Sequence, residues 1–161
     1  MHDDQKGFSL IELLIVVAII LVIAAIAIPN LMRSRVAANQ ASAVESLRVI
    51  NTSEVAYSAT YGAGFSTTLA ILGPPTGGAM ADSTAAGLVD SLLSAGTKSG
   101  YNFTYAPQML DPQNHYNGYT AQANPTALGQ TGTAYYFTDQ TYVIRVNMTQ
   151  AAGSTDSPVA Q

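Results

Sequence analysis

Between Phe8 and Ile28 the chain reads FSLIELLIVVAIILVIAAIAI, 21 residues with a single ionisable side chain, Glu12. As a helix rising about 1.5 Å per residue the run reaches about 31 Å, which matches a bilayer's hydrocarbon core of about 30 Å. The run therefore predicts a helix able to span a membrane. The residues ahead of it, Met1 to Gly7, are polar and mixed in charge.

Pro29 and Asn30 follow, and then helix signals resume. Arg33 to Tyr61 contains neither glycine nor proline and is rich in Ala, Glu, Arg, Leu and Gln. Val36, Ala43, Leu47, Ile50, Tyr57 and Tyr61 recur at helical spacings, which predicts one buried stripe opposite a face of Ser, Asn and charge. Gly62 stops the pattern. Pro29 lacks a backbone donor and its ring crowds the preceding turn, so a soft point is expected there.

The 161 residues suit one compact domain with an appended element. Net charge is −4 and the six basic residues are scattered, which argues against a nucleic-acid surface. Cysteine is absent, so neither a disulfide, a thiolate metal site nor a cysteine nucleophile is available.

Gly62 to Gly100 reads as a loop region punctuated by Gly73 to Gly78, with a short helix expected over Ser83 to Ala95. From Tyr101 the period changes to two. Tyr101 to Tyr105, Tyr119 to Ala123, Ala134 to Thr138 and Tyr142 to Val146 predict antiparallel strands, separated by Asp111-Pro112, Asn117-Gly118, Asn124-Pro125 and Gly129 to Gly132. The small, polar tail after Thr149 is expected to fray.

Lys6 to Pro29, KGFSLIELLIVVAIILVIAAIAIP, resembles the class III signal of type IV prepilins and of the pseudopilins of type II secretion. The resemblance implies that a prepilin peptidase cuts between Gly7 and Phe8 and methylates the new Phe8 amine. A small residue before the cut lets the backbone approach that site closely. An ionised carboxylate inside an apolar span costs about 2.5–3.5 kcal/mol on insertion scales and calls for a partner. The resemblance implies that Glu12 finds it in the Phe8 amine of a neighbouring subunit, setting assembly register, and that Pro29 marks where the helix loosens in a filament.

Two features point elsewhere. Ala25-Ile26-Ala27 has the small-x-small form of a secretory cleavage site, but Asp3 and Asp4 outweigh Lys6 in the head, and that reading leaves Glu12 unexplained. Arg33 and Arg35 follow the span, so positive charge alone places the N-terminus outside, the reverse of the family's orientation.

The same resemblance implies an α+β pilin fold, with a long N-terminal helix packed on a C-terminal antiparallel sheet of about four strands. The expected divisions are a removed leader at 1–7, a membrane and filament-core helix at 8–28, an amphipathic half at 29–61 and a globular region at 62–161. The ending TAYYFTDQTYVIRVN departs from the family in carrying Tyr142 where glycine is expected before Val143. Major pseudopilins often hold calcium, but Asp111, Asp139 and Asp156 are too scattered for dense oxygen coordination. His115 reads as a loop residue, and the tyrosines read as core packing. No cofactor, metal or catalytic group is expected.

The implied function is that of a non-enzymatic filament subunit, a homo-oligomer supporting adhesion, twitching motility or DNA uptake. Its expected partners are prepilin peptidase, an inner-membrane platform with its ATPases, and an outer-membrane secretin. The expected location is the inner membrane, single-pass with a cytoplasmic N-terminus, and then the cell surface. A secretion pseudopilin is the alternative within the family, and a membrane-anchored binding domain or enzyme is the alternative outside it.

Overall fold

The computed structural model describes residues 7–159. Of the expected leader only Gly7 is among them, and Asp3, Asp4 and Lys6 lie outside the described residues. The chain divides into two compact units, 1–35 and 36–161.

Helix α1 spans Leu10–Tyr61 and contains Pro29. Pro29 offers no N–H to the carbonyl four residues before it, so helical geometry persists there without that bond. Gly62 ends the helix at φ +64°, its N–H donating to the Ser58 carbonyl at 3.0 Å, a left-handed stop that glycine adopts without strain.

In unit 36–161, Ala43, Leu47, Ile50 and Tyr57 of α1 are buried as the stripe predicts, and Val36 and Tyr61 are half-buried. The face expected to be solvated is in part buried too: Ser46, Asn51, Ser53 and Glu54 are all covered. The reason is that the chain after α1 folds back over this half of the helix, so the sheet covers one flank and the connecting segment another. Asn51 accepts from the Tyr119 hydroxyl at 2.8 Å and donates to Thr138 Oγ1 at 3.0 Å, while Ser53 and Tyr57 donate to the carbonyls of Leu88 and Ser83.

The connecting segment carries a 3-10 turn at Leu69–Leu72 and a single helical turn, α2, at Ser91–Ser94. The expected helix over Ser83 to Ala95 is thus confined to its end. Asp82 closes a turn by accepting from the Thr84 and Ala85 amides, and Gly87 sits at φ +65°, incompatible with a helix interior. Asp90 caps α2 by accepting from the Leu92 and Leu93 amides. Leu88, Val89 and Leu93 still reach the core, whereas Leu92 is exposed.

The sheet is an antiparallel meander of six strands, not four, in sequential order: β1 Thr97–Lys98, β2 Tyr101–Leu110, β3 Tyr116–Pro125, β4 Tyr135–Asp139, β5 Arg145–Asn147 and β6 Ser157–Pro158. The two additional strands are two-residue edges, too short for an alternating pattern to reveal. Tyr101, Phe103, Tyr119, Ala121, Ala123 and Tyr136 project into the core with Leu47, Ile50, Leu72 and Leu93. Each fully buried Leu or Ile contributes about 1.5–3 kcal/mol.

The last expected strand begins late, because Tyr142 takes φ +63° and turns the chain before β5. This is the position where glycine is expected before Val143, and tyrosine bears the left-handed conformation instead. The tail does not fray through Val159. Residues after Thr149 return to pair β6 with β5, and Ala152 is 1% exposed. Asp156 holds that return, its carboxylate accepting from Asn147 Nδ2 and from the Gly153 amide, while Arg145 donates to the Asp156 carbonyl. A polar clasp thus closes the C-terminal loop of this cysteine-free chain.

Candidate functional site

Within unit 1–35, the large apolar side chains from Phe8 to Ile28 are between 46% (Val17) and 88% (Phe8) exposed. The helix is long and apolar enough to cross a membrane, and the most apolar 18-residue stretch, of mean hydropathy 3.3, buries none of its residues. So much contiguous apolar surface is not left to water by a folded protein, which marks it as the part of the chain that meets lipid or another protein.

Glu12 stands at the third position of α1. Its Oε2 accepts from the Ser9 amide at 2.8 Å, and the Ser9 carbonyl accepts from the Leu13 amide at 3.2 Å. Ser9 therefore occupies the N-cap, and Ser9-Leu10-Ile11-Glu12 has the S-x-x-E form in which a glutamate reaches back to the capping residue's own N–H. Among the described residues the other Glu12 oxygen makes no hydrogen bond. Sequence reasoning missed Ser9, although the four-residue pattern was legible. Capping leaves one Glu12 oxygen for a further donor, so both tasks are compatible in one carboxylate.

Gly7 lies just outside the helix in exposed, non-regular backbone, and nothing lies within 4 Å of where a side chain would start. Phe8 follows, also outside the helix. The Gly7–Phe8 bond is therefore accessible and extrahelical. Ala25 to Ala27 lie within α1 instead, where the backbone is hydrogen-bonded and less open to a protease. Pro29 is exposed on the same helix.

The three C-terminal acids are not brought together. Asp111 accepts from the amides of Gln113 and His115, Asp139 from the amide of Thr141, and Asp156 from Asn147 and Gly153. Among the described residues no three His, Asp or Glu side chains converge. The His115 amide holds the Asp111 carboxyl below its ordinary value, and the His115 ring lies 3.8 Å from the same carboxylate. The tyrosines pack as small groups, Tyr105 stacked on Tyr119 at 5.7 Å and Phe65 edge-on to Tyr119 at 5.0 Å, as core aromatics do.

Residues 3–28 match the family model of the prokaryotic N-terminal methylation motif. The chain is 44% identical over 56 residues to the type IV major pilin protein PilA of Myxococcus xanthus, covering 35% of this chain and 26% of that protein. It is 61% identical over 36 residues to the type IV wide pilus major component PilA4 of Thermus thermophilus, covering 22% of this chain and 28% of the other. The matched stretches thus span about a quarter of each relative's length. No solved structure matches the chain. The chain thus carries a methylation motif at the head of its apolar stem and is similar, over the matched stretches, to two type IV major pilins.

Proposed function

We propose that this protein is the structural subunit of a type IV pilus-like filament and not an enzyme. Residues 1–7 are a leader that prepilin peptidase removes between Gly7 and Phe8 before methylating the Phe8 amine. Residues 8–28 then hold the subunit in the inner membrane, N-terminus cytoplasmic, until the assembly platform and its ATPases move it into the filament. Residues 29–61 join that stem to the globular region at 62–161, and Pro29 is the point at which the helix loosens on packing. Extension through an outer-membrane secretin supports adhesion, motility or DNA uptake.

The observation that carries this reading is the exposed apolar stem interrupted by one carboxylate. Lipid covers such a stem in the membrane and sibling stems cover it in a fibre. Contacts between non-identical patches repeat without closing, which yields an open helical polymer. The Glu12 oxygen that capping leaves free meets the methylated amine of the adjacent subunit, and the pair offsets the cost of each charge in an apolar surround. Mass spectrometry of the protein from its native host is expected to find a chain starting at methylated Phe8, and electron microscopy is expected to find surface filaments that vanish on deletion of the gene. An N-terminus at Ile28, or an uncut chain in intact filaments, would overturn the reading. Filaments that are absent from the surface while secretion fails on deletion would point instead to the pseudopilin alternative.

A further inference from the structure

Glu54 lies on α1 with none of its surface exposed, and among the described residues no cation pairs with it. An ionised carboxylate buried without a counter-charge is so costly that such groups are retained chiefly when they become neutral. The titratable groups that face it are hydroxyls: Tyr57 on its own helix, Tyr105 on β2 and Tyr119 on β3. Beyond these, Asp82 acts on Tyr57, and Asp139 and Tyr142 act on Tyr119. His115, beside Gly64, is turned to Asp111.

The hydrogen bonds around Glu54 converge on one serine. The Ser66 amide donates to Glu54 Oε2 at 2.9 Å, and Ser66 Oγ lies 2.6 Å from Glu54 Oε1 and 3.2 Å from the Thr68 carbonyl. The Tyr105 hydroxyl donates to the Ser66 carbonyl at 2.9 Å. A serine hydroxyl has one proton to give. If Glu54 is neutral, its own O–H donates to Ser66 Oγ, and the serine proton is free to reach Thr68. If Glu54 is ionised, the serine proton is drawn to Oε1 and the Thr68 contact is lost.

We propose that Glu54 sits in the fold as a neutral acid and, with Ser66, forms a proton-held latch tying α1 to the segment that follows it and, through Tyr105, to β2. The latch lies within unit 36–161 and stands whether or not the chain builds a filament. Its pH dependence has a definite sign. Burial pushes the Glu54 carboxyl above its ordinary 4.5, outweighing the Ser66 bonds that pull the other way. A carboxyl whose folded value is raised stabilises the fold fully below its unfolded value, and that stability is lost as pH rises through the folded value. The three facing tyrosines are pushed up by the same burial and remain neutral throughout this window.

The test uses the full-length chain in detergent micelles, with urea unfolding followed from acid to neutral pH and the Glu54 contribution read as the difference between the parent chain and Glu54→Gln. The folded-to-unfolded ratio is expected to fall by up to about tenfold per pH unit above the ordinary carboxyl value and then level off. Glu54→Gln reproduces the neutral pattern, since its amide accepts from the Ser66 N–H and donates to Ser66 Oγ, so it is expected to keep the acid-side stability and lose that slope. Infrared spectroscopy of the parent chain is expected to find a protonated-carboxyl band that survives above the surface acids' titration and shifts in Ser66→Ala. Loss of that band together with the surface acids, or a slope unchanged in Glu54→Gln, would overturn the latch. The infrared titration decides the matter even if the Gln variant does not fold.

Discussion

Glu12 and Glu54 lie on the same helix, and each accepts a hydrogen bond from a serine amide, yet they meet opposite surroundings. Glu12 is exposed among exposed apolar side chains, whereas Glu54 has no surface in solvent. Among the described residues, the most apolar stretch of the stem holds no buried residue, while the helix around Glu54 is enclosed by the sheet and by the segment after Tyr61. The difference teaches that one helix can serve two kinds of stability. The first part leaves its apolar surface to be covered from outside, by lipid or other copies in the proposed function, and the second is completed by the rest of its own chain.

The sharpest way to break that comparison is to truncate one leucine in each region. Leu47→Ala removes a side chain with no exposed surface and is expected to cost about 2–5 kcal/mol in urea unfolding of the subunit, through lost burial and the cavity left behind. Leu14→Ala, at a side chain 61% exposed, is expected to leave that unfolding curve unchanged. A comparable loss from Leu14→Ala would mean that the stem is part of the folded core. For the two carboxylates the same contrast holds in assembly: Glu12→Ala is expected to weaken filament formation by about 2–5 kcal/mol, read as loss of sheared filaments, with the unfolding midpoint unmoved. Normal filaments in that variant would remove Glu12 from the assembly reading.

Smaller effects sharpen the picture of the enclosed half. Asn51→Ala leaves the buried Tyr119 and Thr138 hydroxyls without their partner and is expected to cost about 1–3 kcal/mol by denaturant titration. A neutral result would mean that water enters beside the helix. Tyr142→Gly is expected to stabilise the fold by about 1 kcal/mol, read as a small rise in thermal midpoint, because glycine takes φ +63° without the strain tyrosine bears. A lowered midpoint would show that packing of the half-exposed Tyr142 ring outweighs its backbone strain.

The stem was legible from composition alone, because a run of apolar residues as long as a bilayer is thick admits few other readings. The stripe at Ala43, Leu47, Ile50 and Tyr57 was legible from its period, and the central strands from theirs. What escaped were features that depend on distant partners. Ser46, Asn51, Ser53 and Glu54 look like a solvated face until the segment after α1 is seen to return over them. The edge strands β1 and β6 carry two residues each, too few for a pattern, and exist because neighbours offer them hydrogen bonds. Ser9 was different: its link to Glu12 is local, and the S-x-x-E spacing already held it.

By itself, then, the sequence determined where this protein is greasy, where its helix must end at Gly62, and which carboxylate stands inside the apolar run. These depend on interactions between residues a few positions apart, and a linear pattern records them. Only the tertiary structure decided that Asp156 clasps the C-terminal loop, that Tyr142 bears a conformation suited to glycine, and that Glu54 is sealed against Ser66. Those outcomes follow from loop closures that bring together residues remote in sequence, and burial, which sets the energy of a polar group, does not exist until the closures are made.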